Sequence, residues 1–183
     1  PADRVHSPQD GETVHLAGRP LLFIDTPGHA RHHHCIWDAR SAGWFTGDTF
    51  GLSYRDTDSA AGPFVLPTSS PVQFEPAPLR QSIQRLLATQ PRQMYLTHFG
   101  AVGDVPRLAD LLLAQVDAMV ALAIALRDAP QRHAALKAGL QAQARERLQQ
   151  HGVADLHSAV ASLALDIELN AQGLGVWLDR ATR

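Results

Sequence analysis

Leu21-Leu22-Phe23-Ile24-Asp25-Thr26-Pro27-Gly28-His29 is the stretch that decides the fold expected for this chain. Its four leading apolar residues are typical of a β-strand that is buried on both faces. The Pro-Gly turn that follows is expected to fix the backbone and to let it approach a site closely. His29 therefore stands at the end of a strand, where a rigid scaffold can direct a side chain into a shared site.

Two more polar side chains follow short apolar runs in the same way. Asp48 lies in Gly-Asp-Thr after the strand candidate 44–46, and His98 lies in Thr-His-Phe-Gly after the strand candidate 94–96. Taken singly, each is an ordinary turn, surface or core residue. Two imidazoles and one carboxylate at three strand ends are together a typical ligand set for a catalytic divalent metal.

Composition limits the class of protein. The 183 residues are 45% hydrophobic, which is enough for one domain with a core or for a domain with an appendage. The net charge of −2 disfavours a nucleic-acid partner. A single cysteine excludes an internal disulfide and favours a reducing, cytoplasmic compartment. We find neither a signal peptide nor the roughly 18 to 20 apolar residues that span a bilayer, so no membrane is predicted.

The order of predicted elements indicates an α/β or α+β domain, with a β-rich first half and a helical second half. Short strands are predicted at 12–17, 20–25, 34–38, 44–46 and 94–96. Helices are predicted from Leu79, from an N-cap at Asp104 to Arg127, around 136–148, and from Leu156 to a stop at Gly173. We expect residues 1–104 to form one unit and residues 105–183 to form a helical extension that packs on it.

The sequence also indicates supporting and substrate-binding roles for residues other than the predicted ligands. His33 lies four residues after His29 and is interpreted as a partner of the ligands rather than as a ligand. Residues 51–78 form a loop whose length is typical of a functional segment, such as a lid or a substrate wall. The candidate pocket residues on this loop are Tyr54, Arg55, Phe64 and Phe74. The alternative is that their side chains only pack the loop against the rest of the protein.

Three stretches resemble the metallo-β-lactamase-fold hydrolases. Residues 10–29 resemble the strand pair that leads into that superfamily's Thr-Pro-Gly-His element. Residues 44–50 resemble its Phe-x-Gly-Asp element, and residues 96–100 resemble its final metal-histidine strand end. Together the resemblance covers roughly residues 10–104, and its order and spacing are specific for the superfamily but not for one activity.

The resemblance implies half of an αββα sandwich, with the site at one edge of two packed sheets. By that resemblance His29 would ligate one divalent metal ion, Asp48 would bridge two ions as the catalytic carboxylate, and His98 would ligate the second. His33 matches the second histidine that often follows four residues on. Zinc is favoured as the metal, and iron or manganese would suit the same ligands.

One part of the superfamily pattern is missing. The His-x-His-x-Asp-His motif should lie well upstream of His29, but only 28 residues precede it and none of them spells that motif. The chain therefore resembles the C-terminal half of such an enzyme with a helical extension, and we expect it to be a cut or partial chain. Its expected partners are the missing N-terminal half of the same protein and, through the C-terminal helices, a second copy.

The predicted function is hydrolysis of a small-molecule ester, thioester, lactone, amide or phosphodiester by a metal-activated water. An iron-centred redox or oxygen enzyme on the same fold is one alternative, since His and Asp suit iron as well as zinc. A non-enzymatic interaction module with a degenerate site is the other alternative. It predicts no tight metal binding.

Overall fold

A six-stranded sheet and five helices make up the computed structural model, which describes residues 5–181. The strands are β1 (Thr13–Leu16), β2 (Arg19–Asp25), β3 (His34–Asp38), β4 (Gly43–Gly47), β5 (Gln93–Leu96) and β6 (Gly100–Val102). The helices are α1 (Pro76–Leu87), α2 (Val105–Ala125), α3 (Arg132–His151), α4 (Leu156–Ser162) and α5 (Ala164–Ala181).

The sheet follows chain order from β1 to β6. Neighbouring strands are antiparallel except β4 and β5, which are parallel because α1 carries the chain back between them. The strand β6 was missed in the sequence, since Gly-Ala-Val is too short to form a pattern and becomes a strand only by pairing with β5. The predicted α/β class is confirmed.

One face of the sheet is covered by helices. Trp44 and Met94 are buried on this face, and the Trp44 indole N–H donates to the Leu86 carbonyl of α1 at 3.1 Å and to Thr89 Oγ1 at 2.8 Å. On α1, Leu79, Ile83 and Leu86 form the buried side that meets them. The predicted apolar face of this helix is therefore its packing face.

The other face of the sheet carries a second apolar row. The strand registers align Phe23 with Ile36, Ile36 with Phe45, and Phe45 with Tyr95. The Phe45 and Tyr95 rings stack with centroids 4.8 Å apart, and Phe45 is 45% exposed. No helix of the described residues covers this row as α1 covers the opposite face, so the sheet has one packed face and one open apolar face.

Buried side chains form one cluster that runs from Ile24 to Leu178 and includes strands, loop and helices. The cluster includes residues on both sides of the boundary predicted at residue 104, which lies between β6 and α2. The division into two units at this residue stays a prediction. Asp104 stands at the N-cap of α2, but its carboxylate pairs with Arg107 and caps no backbone N–H.

Helix α2 corrects the expectation that no segment could span a bilayer. By length and composition it has the properties of a membrane-crossing helix, since it has 21 residues and an 18-residue stretch within it has a mean hydropathy of 1.9. Three charged residues interrupt its apolar run, and for this reason the sequence alone did not indicate a stretch long and apolar enough to cross a membrane. One side of α2 is buried in the cluster, including Leu108, Leu112 and Val116, as in the core helix of a globular domain.

Helix α5 corrects a second expectation, because it continues through Gly173 to Ala181 instead of ending there. A Cβ at Gly173 would collide with the side chain of Ser69, so the glycine permits a close approach of the long loop to the helix. Asn170 fixes the same contact, since it accepts from the Ser69 N–H and donates to the Pro67 carbonyl, both at 2.9 Å.

Candidate metal centre

The turn after β2 presents His29, and it is attached firmly to α1. The Pro27 carbonyl accepts from Ser82 Oγ at 2.7 Å, and the Gly28 carbonyl accepts from the Glu75 N–H at 2.8 Å. Gly28 has φ of 135°, and a Cβ there would overlap the backbone of Leu79. The glycine was expected to bring the backbone close to the site, but its structural role is to let the turn contact α1.

The turn after β4 presents Asp48 above the ring of His33. Gly47 has φ of 49°, and a Cβ there would collide with that ring. With the glycine in place, the Asp48 N–H donates to Nε2 of His33 at 3.2 Å. Nδ1 of His33 lies 3.0 Å from Thr49 Oγ1 and 3.2 Å from Thr26 Oγ1.

His33 is a neutral imidazole with both nitrogens engaged. Burial lowers its pKa to about 4, and the charge of His29 adds to this effect. Since Nε2 accepts the Asp48 N–H, Nδ1 carries the proton and donates to a threonine hydroxyl. The ring lies edge-on to that of His29, with the two centroids 5.6 Å apart. The backbone between the two residues forms a non-helical turn, whereas a helical one was considered from the sequence. This geometry agrees with the predicted supporting role, which stays a prediction.

One carboxylate lies between two imidazoles. Nε2 of His29 is 3.6 Å from Oδ2 of Asp48, and Nε2 of His98 is 3.7 Å from Oδ1 of the same carboxylate. His29 and Asp48 are largely covered, whereas the His98 side chain is 53% exposed. The structure therefore brings together the three side chains predicted as ligands, although 19 positions separate His29 from Asp48 and 50 separate Asp48 from His98.

Two observations test whether these side chains fit metal ions. Nδ1 of His29 lies 3.1 Å from the Thr68 carbonyl, so Nδ1 carries the proton and the Nε2 lone pair faces Asp48. Oδ1 of Asp48 is buried and has no hydrogen-bond partner among the described residues. An unpaired buried carboxylate oxygen is costly unless a cation binds it. The donor set therefore fits a divalent metal.

The fit is that of a partial site. Across residues 5–181, no three His, Cys, Asp or Glu side chains are arranged to hold one metal ion. Each imidazole approaches a different oxygen of Asp48, so a bridging arrangement would give each ion one histidine and a share of one carboxylate. Tetrahedral zinc needs four ligands, and the remaining ones must come from elsewhere.

A cleft of about 480 Å³ opens beside the three side chains. Tyr54 and residues 68–71 of the long loop form one part of its wall, and Leu165, Asp166 and Leu169 of α5 form another. The sequence indicated the C-terminal helices only in general terms. It missed these three residues because a helix's apolar period does not reveal which positions face a cleft.

Three of the four loop residues predicted to line the pocket are elsewhere. Phe64 and Phe74 are each 1% exposed and belong to the core, since the loop packs between the sheet and the helices. Arg55 donates to Ser53 and pairs with Asp58, and it does not line the cleft. Tyr54 lines the cleft, and its hydroxyl donates to Oδ2 of Asp166 at 2.8 Å.

Comparisons with known proteins identify the fold. The crystal structure of the archaeal metallo-β-lactamase superfamily protein ST1585 from Sulfolobus tokodaii matches 94% of this chain at 25% identity, with a TM-score of 0.57. This chain is part of a metallo-β-lactamase fold. The metallo-β-lactamase family protein TTHA1429 from Thermus thermophilus matches 98% of it at 24% identity, also with a TM-score of 0.57.

Sequence comparison finds similarity to a protein that is named for the same fold. The curated ST1585 protein of Sulfurisphaera tokodaii is 29% identical over 114 residues, which are 62% of this chain and 39% of that protein. No family model matches the chain. At the level of the superfamily, the fold supports hydrolase chemistry and the use of divalent metals, and it specifies neither a substrate nor a metal.

The metallo-β-lactamase-fold chain spans about half the length of the proteins it matches, with 52% of each solved structure covered. Both structural matches cover nearly all of this chain, so they include the C-terminal helices. These helices therefore belong to the architecture shared with both proteins.

Proposed function

We propose that the complete protein, of which this chain is a part, is a metal-dependent hydrolase that acts on a small-molecule ester, thioester, lactone, amide or phosphodiester. One observation carries the proposal: the Nε2 atoms of His29 and His98 approach opposite oxygens of Asp48, and Oδ1 of that carboxylate is buried without a hydrogen-bond partner among the described residues. In a cleft with room for a small molecule, these side chains would supply part of the donor set for two divalent ions.

Each residue has a distinct task in this proposal. His29, Asp48 and His98 would hold two divalent ions, for which zinc is favoured and iron or manganese would also suit. Such ions lower the pKa of water and polarise the oxygen of a bond that is to be hydrolysed. His33 holds the Asp48 backbone, and Thr68 orients the His29 ring through the 3.1 Å contact.

The remaining ligands are proposed to lie on an N-terminal half of the same protein. Two features support this assignment: the chain covers 52% of each solved structure that it matches, and the sheet has an open apolar face. A second sheet on the row of Phe23, Ile36, Phe45 and Tyr95 would complete a sandwich. It would also bring further side chains to the edge where Asp48 lies.

The test is metal content with turnover in the complete protein. Elemental analysis is expected to give close to two divalent ions per chain, and a panel of esters, thioesters, lactones and phosphodiesters is expected to include a substrate. Asp48→Ala is expected to abolish the dinuclear site, whereas Asp56→Ala on the exposed part of the loop serves as the matched control. Fewer than one metal per chain with no turnover would refute the proposal, and unchanged turnover in His98→Ala would refute the ligand assignment.

A further inference from the structure

The walls of the cleft, unlike its metal ligands, point to a substrate class. Phe99 is 48% exposed and Leu165 is 67% exposed, and both line the cleft. Exposed apolar side chains that are grouped at a cleft mark a surface that an apolar ligand can cover. Leu52 and Leu169 continue the apolar wall between them.

Phe99 is held in a strained backbone conformation beside the ligand His98. Its φ is 73°, a value that an aromatic residue seldom adopts and that persists where the surroundings impose it. The ring centroid lies 4.3 Å from that of Tyr54, and the Tyr54 hydroxyl is fixed by Asp166. The loop, the strand end and α5 thus hold one aromatic surface next to the predicted metals.

The side chains that line the cleft do not favour an anionic group on the substrate. None of the described residues that line it is lysine or arginine, and its wall carries the carboxylates of Asp48 and Asp166. The arginine of the same loop, Arg55, is bound to Ser53 and Asp58 instead. Anionic groups such as phosphates are normally met by arginine or lysine.

We propose that the substrate is a carboxylic ester or thioester whose acyl group is an apolar chain lying against Phe99, Leu165 and Leu169. This inference rests on the proposed function and selects among its substrates. In the reaction, the oxygen of water bonds to the carbonyl carbon and the C–O or C–S bond breaks. The alcohol or thiol leaves with one proton of the water, the other proton is released to the solvent, and the water oxygen stays in the carboxylate.

Kinetics of the complete metal-loaded protein test the inference with one leaving group and two acyl chains. The kcat/KM for p-nitrophenyl octanoate is expected to exceed that for p-nitrophenyl acetate at least tenfold. Phe99→Ala and Leu165→Ala are each expected to lower it about fivefold for octanoate through KM, because each removes buried apolar contact with the chain, and to lower it by a smaller factor for acetate. Ile124→Ala is the matched control, since Ile124 is 53% exposed but lies outside the cleft.

Binding separates this inference from the proposed function. Calorimetry with 2-octanone and 2-butanone requires no turnover. We expect 2-octanone to bind at least tenfold more tightly, and Leu165→Ala to reduce this difference about fivefold. Equal binding of the two ketones, or faster turnover of bis(p-nitrophenyl) phosphate than of the octanoate ester, would overturn the substrate class. Tight 2-octanone binding without any metal or turnover would support the apolar wall and refute the hydrolase.

Discussion

The backbone N–H of Asp48 donates a hydrogen bond to Nε2 of His33 across 3.2 Å. This bond, together with the glycine that makes room for the ring, fixes the strand end that carries the carboxylate. Since both nitrogens of His33 are engaged, its imidazole acts on the site through Asp48 and not through a lone pair directed at a metal.

Removal of His33 is therefore expected to weaken metal binding without removing a ligand. In the complete protein, His33→Ala should raise the metal dissociation constant about 10- to 100-fold, the usual effect of losing a group that orients a ligand. His33→Gln retains an acceptor and should recover part of the affinity. Competition with a chromogenic chelator measures both, and His32→Ala is the control because His32 is exposed in the same turn. Equal affinity in His33→Ala and the wild type would contradict this role.

The Asp48 carboxylate is expected to lower the free energy of unfolding of the chain when no metal is present. Its Oδ1 is buried without a partner among the described residues, so Asp48→Asn should raise the free energy of unfolding of the metal-free chain by about 0.5–1 kcal/mol. We expect zinc to raise the melting temperature of the wild type, and the same change should abolish that increase. Calorimetric unfolding with and without zinc checks both effects, with Asp56→Asn as the control. A metal-free Asp48→Asn protein that melts below the wild type would refute the cost.

The open sheet face is expected to behave differently in the isolated chain and in the complete protein. Phe45→Asp in the complete protein should lower the free energy of unfolding by about 2–3 kcal/mol, because it would place a charge in the proposed sandwich interior. In the isolated chain it should reduce binding of an apolar dye and leave stability nearly unchanged. Val72→Asp, at a position that is 63% exposed on the loop, is the control for both measurements. A monodisperse isolated chain that binds no dye would contradict the open face.

Cys35 is expected to be chemically inert in the folded chain. Its thiol is fully buried, donates to the Thr46 carbonyl at 3.3 Å, and has a pKa raised by burial to about 11. At about pH 8 a disulfide reagent should modify no thiol in the native protein and one thiol after unfolding. Ser7→Cys provides an exposed thiol as a positive control. Rapid modification of the folded wild type would contradict the packing of β3.

The junction of α3 and α5 is expected to weaken in acid. Glu168 accepts from Lys137 at 2.6 Å, and this bond, with the one from Gln172, lowers the pKa of Glu168 from 4.5 to about 2. A carboxyl group with a lowered pKa in the folded state contributes stability above its unfolded pKa, and that contribution is lost as the pH falls from 4.5 towards 2. Denaturant unfolding should therefore give a higher free energy of unfolding for the wild type than for Glu168→Gln at about pH 5, and nearly equal values at about pH 2. Glu146→Gln is the control.

The sequence predicted the parts of the fold that local pattern determines. Strand β2 and its Thr-Pro-Gly-His turn were evident because a continuous apolar run ends at strong turn residues. The meeting of His29, Asp48 and His98 followed from placing each at a strand end. Their roles as ligands stay predictions, since the geometry fits metals but the described residues supply only part of two coordination shells.

The parts that failed depend on contacts distant in sequence. Phe64 and Phe74 lie in a segment with loop composition, and only packing between sheet and helices buries them. Gly173 resembles a helix stop, but α5 continues through it, and the glycine leaves room there for Ser69. Leu165 and Asp166 were missed since nothing local distinguishes a cleft-facing helix position from any other.

The bond between Tyr54 and Asp166 joins residues that are 112 positions apart. During synthesis the strand ends that carry the predicted ligands leave the ribosome well before α5 does. A nascent chain would thus present its predicted metal ligands on an open surface, and the cleft would exist only once translation had passed this helix. The predicted metal ligands and the wall of the cleft would therefore form at different times during synthesis.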